Sequence, residues 1–207
     1  MESRYIFNLA EAYKKGYELR YPSKEDASDI KLHYFKVKDD LPRIQPILGF
    51  IHNIMAAGKC KSLLDVGSGR GVFLFPLLRD FPELEVQSID ILPHRVEFLH
   101  CLTIGGVSNL KASLIDICQA DYDDDSFDIV TLLEVLEHIP DARKALLNAV
   151  RIAHNYVVVS VPSKPDDNPE HIHLFSIDDM QTLLEESGCR KVKTIGVNGH
   201  NIFIASK

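Results

Sequence analysis

The sequence predicts a doubly wound α/β domain whose mostly parallel, seven-stranded sheet ends in an antiparallel hairpin. Three observations carry this expectation. Short apolar runs alternate with helical patterns from residue 62 onward, a glycine-rich turn (Gly67-Ser68-Gly69-Arg70-Gly71) follows the first run, and Asn198-Gly199 separates two β-like runs near the end of the chain. Nearly continuous apolar strands separated by helices indicate a parallel sheet covered on both faces. Asn-Gly between two such runs is the strongest short hairpin signal.

The elements follow in order. From residue 41, Leu41, Ile44, Leu48, Ile51 and Met55 recur at helical spacing, and Gly58 is placed to end that helix. Strands are expected at SLLDV (62–66), EVQSID (85–90), KASLID (111–116), FDIVTLLE (127–134) and YVVVSVP (156–162). The glycines should lead into a helix beginning VFLFPLL at Val72. Ser176 with Asp179 forms a capping-box pattern for a later helix that Gly188 closes, and the KVKTIGVNGHNIFIASK tail supplies the two hairpin strands.

Composition bounds the function classes. The 207 residues are 45% apolar and carry no repeat, which fits one domain with a sizeable core. A formal net charge of −7 argues against a partner held chiefly through its phosphates. Residues 1–43 stand apart, with nine Lys/Arg against eight Asp/Glu and five of the seven tyrosines: Tyr5, Tyr13, Tyr17, Tyr21 and Tyr34. Residues 1–58 are therefore read as an N-terminal helical segment, with residues 1–40 a mobile substrate lid, and residues 59–207 as the binding domain. Cys60, Cys101, Cys118 and Cys189 form no C-x-x-C pair, so neither a zinc knuckle nor a disulfide framework is indicated. The polar N-terminus and the absence of a long apolar run point to a cytoplasmic protein without a membrane partner.

The glycine turn bares the backbone to a ligand and opens a helix whose N-terminus favours an anion. Its spacing is G-x-G-x-G. A dinucleotide fingerprint would need glycine at position 72, where Val72 stands. Asp65 lies two places before the first glycine, and Asp90 closes the next apolar run, where a carboxylate can accept both hydroxyls of a ribose.

Taken together, LLDVGSGRG, VQSID, SLIDICQADYDDDSFDIV and LLEVLEHIPD resemble, in order and spacing, the motifs of class I S-adenosylmethionine-dependent methyltransferases, with their Rossmann-like fold, over roughly residues 60–207. The resemblance implies S-adenosylmethionine as cofactor and S-adenosylhomocysteine as product. It implies that Gly67, Ser68, Gly69 and Gly71 line the methionine tail and that Asp65 orders the turn or receives the amino group. Asp90 would bind the ribose, Ile91 would pack on the adenine, Asp116 would accept from its amino group beside Ile117, and Leu133 would lie against the cofactor.

Methyl transfer from a sulfonium is an in-line displacement that rests on alignment, with a base or metal where the acceptor is a hydroxyl. Glu134, Glu137 and His138 in EVLEH, and His171 and His173 in PEHIHLF, follow strand ends and are the candidates. His138 and His173 are read as the catalytic pair. EVLEH resembles both quinone-biosynthesis O-methyltransferases and RNA 3′-terminal 2′-O-methyltransferases, in which such a run and a later histidine bind a divalent metal. A helix after the fourth strand would put Glu134, Glu137 and His138 on one face with His173 nearby, whereas a helix starting at Asp141 would not. The expected function is methyl transfer to a small-molecule acceptor without a metal requirement. A metal-assisted RNA methyltransferase and a catalytically silent cofactor-binding subunit are the alternatives. The remaining histidines, His33, His52, His94, His100, His154 and His200, are read as surface or core groups.

Overall fold

A computed structural model of the chain describes residues 9–22 and 41–207. Tyr5, His33, Tyr34 and most of the expected lid lie outside these residues. The order is α1 (Leu9–Arg20), α2 (Gln45–Ala56), β1 (Ser62–Val66), α3 (Leu74–Asp80), β2 (Glu85–Asp90), α4 (Pro93–Ile104), β3 (Leu110–Leu114), β4 (Phe127–Leu133), α5 (Ala142–Ile152), β5 (Ala153–Pro162), α6 (Ile177–Glu186), β6 (Lys191–Val197) and β7 (His200–Ser206). Short 3-10 turns occupy Ile117–Gln119 and Leu136–His138.

The seven strands form one sheet in the order β3-β2-β1-β4-β5-β7-β6. The first five are parallel and β7 runs antiparallel to both β5 and β6. The chain leaves β1 for β2 on one side and reaches β4 on the other, so strand order reverses between β1 and β4. That is where open α/β sheets bind ligands, beyond the strands' carboxyl ends.

Alternation along the strands separates two apolar layers. Leu63, Ile129, Val158 and Ile202 face α2, α3 and α4, while Leu64, Val130, Val157, Val159 and Phe203 face α5 and α6. Both faces are thus covered, as continuous apolar strands require.

The expected elements are present with shifted ends. Pro46 sits in the first turn of α2, a position that tolerates its missing N–H, so Leu41–Ile44 form a turn and the helix starts at Gln45. The helix after the glycines begins at Leu74, two residues later than read, and Phe75 N donates to the Gly71 carbonyl across its entry. β3 stops at Leu114 because Asp116 turns away to cap the next 3-10 turn, accepting from Cys118 N at 2.8 Å. Ser176 and Asp179 form the full capping box, and Gly199 takes φ +81° in the hairpin turn.

α1 is seated on α4. An added Cβ at Gly16 would stand 1.8 Å from the Cys101 carbonyl oxygen, and one at Gly105 would stand 1.7 Å from that of Ala12. The rings of Tyr13 and Phe98 lie 4.7 Å apart, Arg20 is paired with Glu97, and the Tyr21 hydroxyl donates to Glu97 Oε1 at 2.6 Å. Residues 9–22 are therefore tied down by close packing and ion pairing. Among the described residues no helix is long and apolar enough to cross a membrane.

Candidate active site

β1 delivers Asp65 to the reversal point. Its side chain is 2% exposed; Thr131 Oγ1 donates to Oδ1 at 2.7 Å and Ser68 Oγ donates to Oδ2. Burial pushes its pKa up to about 6, against the pull of the two hydroxyls, with Asp90 adding to the rise. Asp65 thus pins the glycine turn from below, and Ser68 is also within hydrogen-bond distance of Ser88 on β2.

The turn itself demands glycine. Gly67, Gly69 and Gly71 have φ +68°, +56° and +75°. A Cβ at Gly71 would enter the Phe75 ring at 2.3 Å. Gly69 meets nothing closer than Arg95 Nη1 at 3.7 Å, so that stretch of backbone is open to a ligand.

A cleft rises over this turn. Asp65, Gly67, Ser68 and Gly69 form one wall, Leu133, Glu134 and Ser160 the floor beside β4 and β5, and Arg43, Ile44 and Ile47 the wall leading into α2. Asp90 ends β2 nearby, with Oδ1 accepting from Leu92 N at 2.9 Å. Ile91 beside it is 65% exposed, an apolar side chain held in solvent. Asp116 caps its turn and Ile117 is buried beneath it. Of the cofactor residues expected from sequence, Asp65, Gly67, Ser68, Gly69 and Leu133 line the cleft. Gly71 shapes the turn from behind, and Asp90, Ile91, Asp116 and Ile117 stand at the ends of β2 and β3.

The segment after β4 departs from the expectation of a helical face. Glu134 adopts φ +58°, the residues that follow form only a 3-10 turn, and α5 starts after Asp141, whose side chain caps it by accepting from Lys144 N. Glu134 and Glu137 therefore part company. Glu134 points to the cleft floor, where Ser160 Oγ donates to Oε1 at 2.6 Å and His200 Nε2 lies 2.9 Å from Oε2. Glu137 is 0% exposed, and burial pushes its pKa up to about 8, with Glu134 and Asp166 adding to the rise.

The two histidines read as catalytic sit away from the floor. His173 Nε2 faces the carbonyls of Ile139 and Pro140 at 3.0 and 3.3 Å, and His138 Nδ1 faces the carbonyl of Glu170 at 3.0 Å. Neither lines the cleft. The structure instead gathers Glu137, His138 and His171, with one ligand atom from each within 4.8 Å of the others. The four-residue metal set considered from sequence is thus split: Glu134 and His173 belong elsewhere and His171 joins. Sequence reasoning passed over Ser160, a polar residue inside an apolar strand and so a readable signal. It also passed over His200, which only strand register brings to Glu134.

A family profile described as a methyltransferase domain matches residues 43–194. A ubiquinone biosynthesis O-methyltransferase of Idiomarina loihiensis is 36% identical over 112 residues, covering 53% of this chain and 44% of that protein. The enzyme of the same name from Vibrio cholerae is 26% identical over 146 residues, covering 70% of this chain and 55% of the relative. The chain spans about half the length of these relatives. A solved SAM-dependent methyltransferase from Aquifex aeolicus superposes with a TM-score of 0.66 at 21% identity, covering 88% of this chain and 99% of its own. One from Archaeoglobus fulgidus gives 0.60 at 18% identity, covering 79% and 94%. A profile match of this extent, on a sheet with this strand order, makes the chain a member of the methyltransferase domain family.

Proposed function

We propose that the protein binds S-adenosylmethionine and transfers its methyl group to a hydroxyl of a small-molecule acceptor, releasing S-adenosylhomocysteine. The carrying observation is Glu134, a carboxylate held at the cleft floor by Ser160 and His200 beside the glycine turn. The names of the relatives support an oxygen acceptor, and the net charge of −7 supports a small molecule over RNA.

In this reading Gly67, Ser68 and Gly69 would hold the methionine portion of the cofactor, with Asp65 taking its amino group. Asp90 would accept from the ribose hydroxyls, and Ile91, Asp116 and Ile117 would hold the adenine. The acceptor enters between Glu134 and the wall formed by Arg43 and Ile47. S-adenosylmethionine, when bound, would supply an electrophilic methyl group and leave as the neutral thioether, while Glu134 would accept the proton of the acceptor hydroxyl and pass it to solvent. Ser160 and His200 are positioning residues, because they touch Glu134 and fix its two oxygens. His138 and His173 have no part in this step.

The test is calorimetric titration with S-adenosylmethionine, followed by transfer of a labelled methyl group to a panel of phenols, catechols and aliphatic alcohols and to short RNA. Cofactor binding with label in a hydroxyl of the panel supports the proposal. Label in RNA overturns the acceptor class. Binding without transfer to anything points to the silent-subunit reading, and stabilisation by NAD alone removes the cofactor assignment.

A further inference from the structure

Glu137 is the one described side chain with buried polar atoms lacking a partner: both carboxylate oxygens are enclosed, and neither has a hydrogen-bond partner among the described residues. A buried polar group is ordinarily satisfied, and an enclosed carboxylate calls for a cation or a set of donors. Among the described residues, the imidazoles of His138 and His171 each bring a ligand atom within 4.8 Å of this carboxylate. We propose that Glu137, His138 and His171 form a binding site for a divalent transition-metal ion of the Zn²⁺ class, and that the ion ties the segment after β5 to the turn after β4.

The surroundings of the two imidazoles support the assignment. His171 Nδ1 lies 2.9 Å from Asp166 Oδ2, and His138 Nδ1 lies 3.0 Å from the Glu170 carbonyl oxygen. An acceptor at each Nδ1 keeps the proton there and leaves the Nε2 lone pair for a metal. This carboxylate- or carbonyl-backed arrangement is how metal-binding histidines are oriented. The backbone already holds the partners together, since the amides of Ile172 and His173 both donate to the Glu137 carbonyl, at 2.9 and 3.3 Å. The rings of His138 and His171 meet edge to face with centroids 4.8 Å apart.

Two imidazoles and one carboxylate suit Zn²⁺ and exclude neither Co²⁺ nor Mn²⁺, whereas Mg²⁺ and Ca²⁺ prefer all-oxygen shells. Bonds of about 2.0–2.2 Å set tetrahedral ligand atoms roughly 3.3–3.6 Å apart. Closing from a 4.8 Å spread is within the reach of small side-chain rotations. This ligand set arises from the fold and differs from the EVLEH-plus-His173 set that the sequence pattern brings to mind.

The full chain, treated with EDTA and desalted, would be titrated with Zn²⁺ by calorimetry. Co²⁺ would be added to a second sample for its visible absorption, and digestion of the 163–175 segment by a low level of protease would be followed with and without Zn²⁺. The expected result is one tightly bound Zn²⁺, a tetrahedral Co²⁺ spectrum and slowed cleavage. Affinity should fall at least 10-fold in Glu137→Gln and in His171→Ala, and about 10-fold in Asp166→Ala, which removes the acceptor behind His171. His171 lies in an irregular segment, so that variant keeps the fold even if Glu137→Gln does not, and circular dichroism would confirm both. Absence of stoichiometric Zn²⁺ uptake overturns the proposal, as does tight binding unchanged in His171→Ala, which would place the ion away from this site.

Discussion

Oε2 of Glu134 lies 2.9 Å from Nε2 of His200, joining the end of a central strand to the first residue of the last one. The antiparallel register of β5 and β7 sets His200 opposite Pro162, and the Glu134 amide donates to the Ser160 carbonyl, so both partners hang from the end of β5. A left-handed φ at a residue other than glycine costs about 1–2 kcal/mol and persists where surrounding contacts impose it.

The pair carries a kinetic prediction. Glu134→Gln keeps the shape and the Ser160 contact but loses the proton acceptor, so kcat should fall about 10²–10⁴-fold while S-adenosylmethionine affinity stays within a few fold. His200→Ala should lower kcat less, and His200→Gln should restore much of that loss by returning a donor to Glu134. Steady-state kinetics on any acceptor found in the panel checks this. An unchanged kcat in Glu134→Gln would return the proton-accepting role to another group.

Asp65 carries a pH prediction. Its folded-state pKa of about 6 stands above the ordinary 3.8, so between these values the folded state binds the extra proton. Stability without ligand should therefore fall as pH rises through that window, by on the order of 3 kcal/mol from this group. Asp65→Asn should recover most of it above pH 6 and make the denaturation midpoint less pH-dependent. S-adenosylmethionine should bind more tightly as pH rises from 5 to 7, because its ammonium favours the ionised carboxylate. Chemical denaturation and calorimetry across that range give both readouts.

Asp90 stands at the end of β2, with one oxygen accepting from Leu92 N. Asp90→Ala should weaken S-adenosylmethionine by about 1.5–3 kcal/mol, or roughly 10- to 150-fold, through loss of charged hydrogen bonds to the ribose. The chain should stay folded, because the position lies at a strand end. Unchanged affinity would mean that Asp90 only holds the Leu92 turn.

Why the fold was legible, and part of the site was not, follows from the range of the interactions. Strand alternation, the Ser176 capping box and the Asn198-Gly199 turn are local, and each is written in neighbouring residues. The glycine turn is equally local. The catalytic candidates were not, because their positions depend on one backbone residue and one register. Had Glu134 continued into a helix, Glu137 and His138 would share its face. Its left-handed φ ends the strand sharply, so Glu134 turns to Ser160 while Glu137 is buried. His200 looked like an isolated surface group because its partner is set by β-pairing across the sheet. The close seating of α1 on α4 was also invisible, since the small residues that permit it, Gly16 and Gly105, belong to segments far apart in the chain.

That seating gives the last prediction. Gly16 has no room for a Cβ, which would meet the Cys101 carbonyl oxygen at 1.8 Å, and backbone on a helix cannot yield as a flexible side chain can. Gly16→Ala should therefore push α1 off α4, separate Tyr13 from Phe98 and break the Arg20–Glu97 pair, with a loss of about 1–3 kcal/mol typical of overpacking. The Tyr13 phenol reports the change. Burial, aided by Cys101 and the neighbouring Tyr17, Tyr21 and Glu97, pushes its pKa up to about 12. Once α1 is released, that phenol should ionise near the ordinary value of about 10. Ultraviolet titration of the tyrosines should thus show one more group ionising below pH 11 in Gly16→Ala than in the parent chain. Affinity for S-adenosylmethionine should change little, because the glycine turn and Asp90 lie outside the α1–α4 contact. Identical titration curves with equal stability would mean that α1 sits less tightly on α4 than the Gly16 and Gly105 crossing requires.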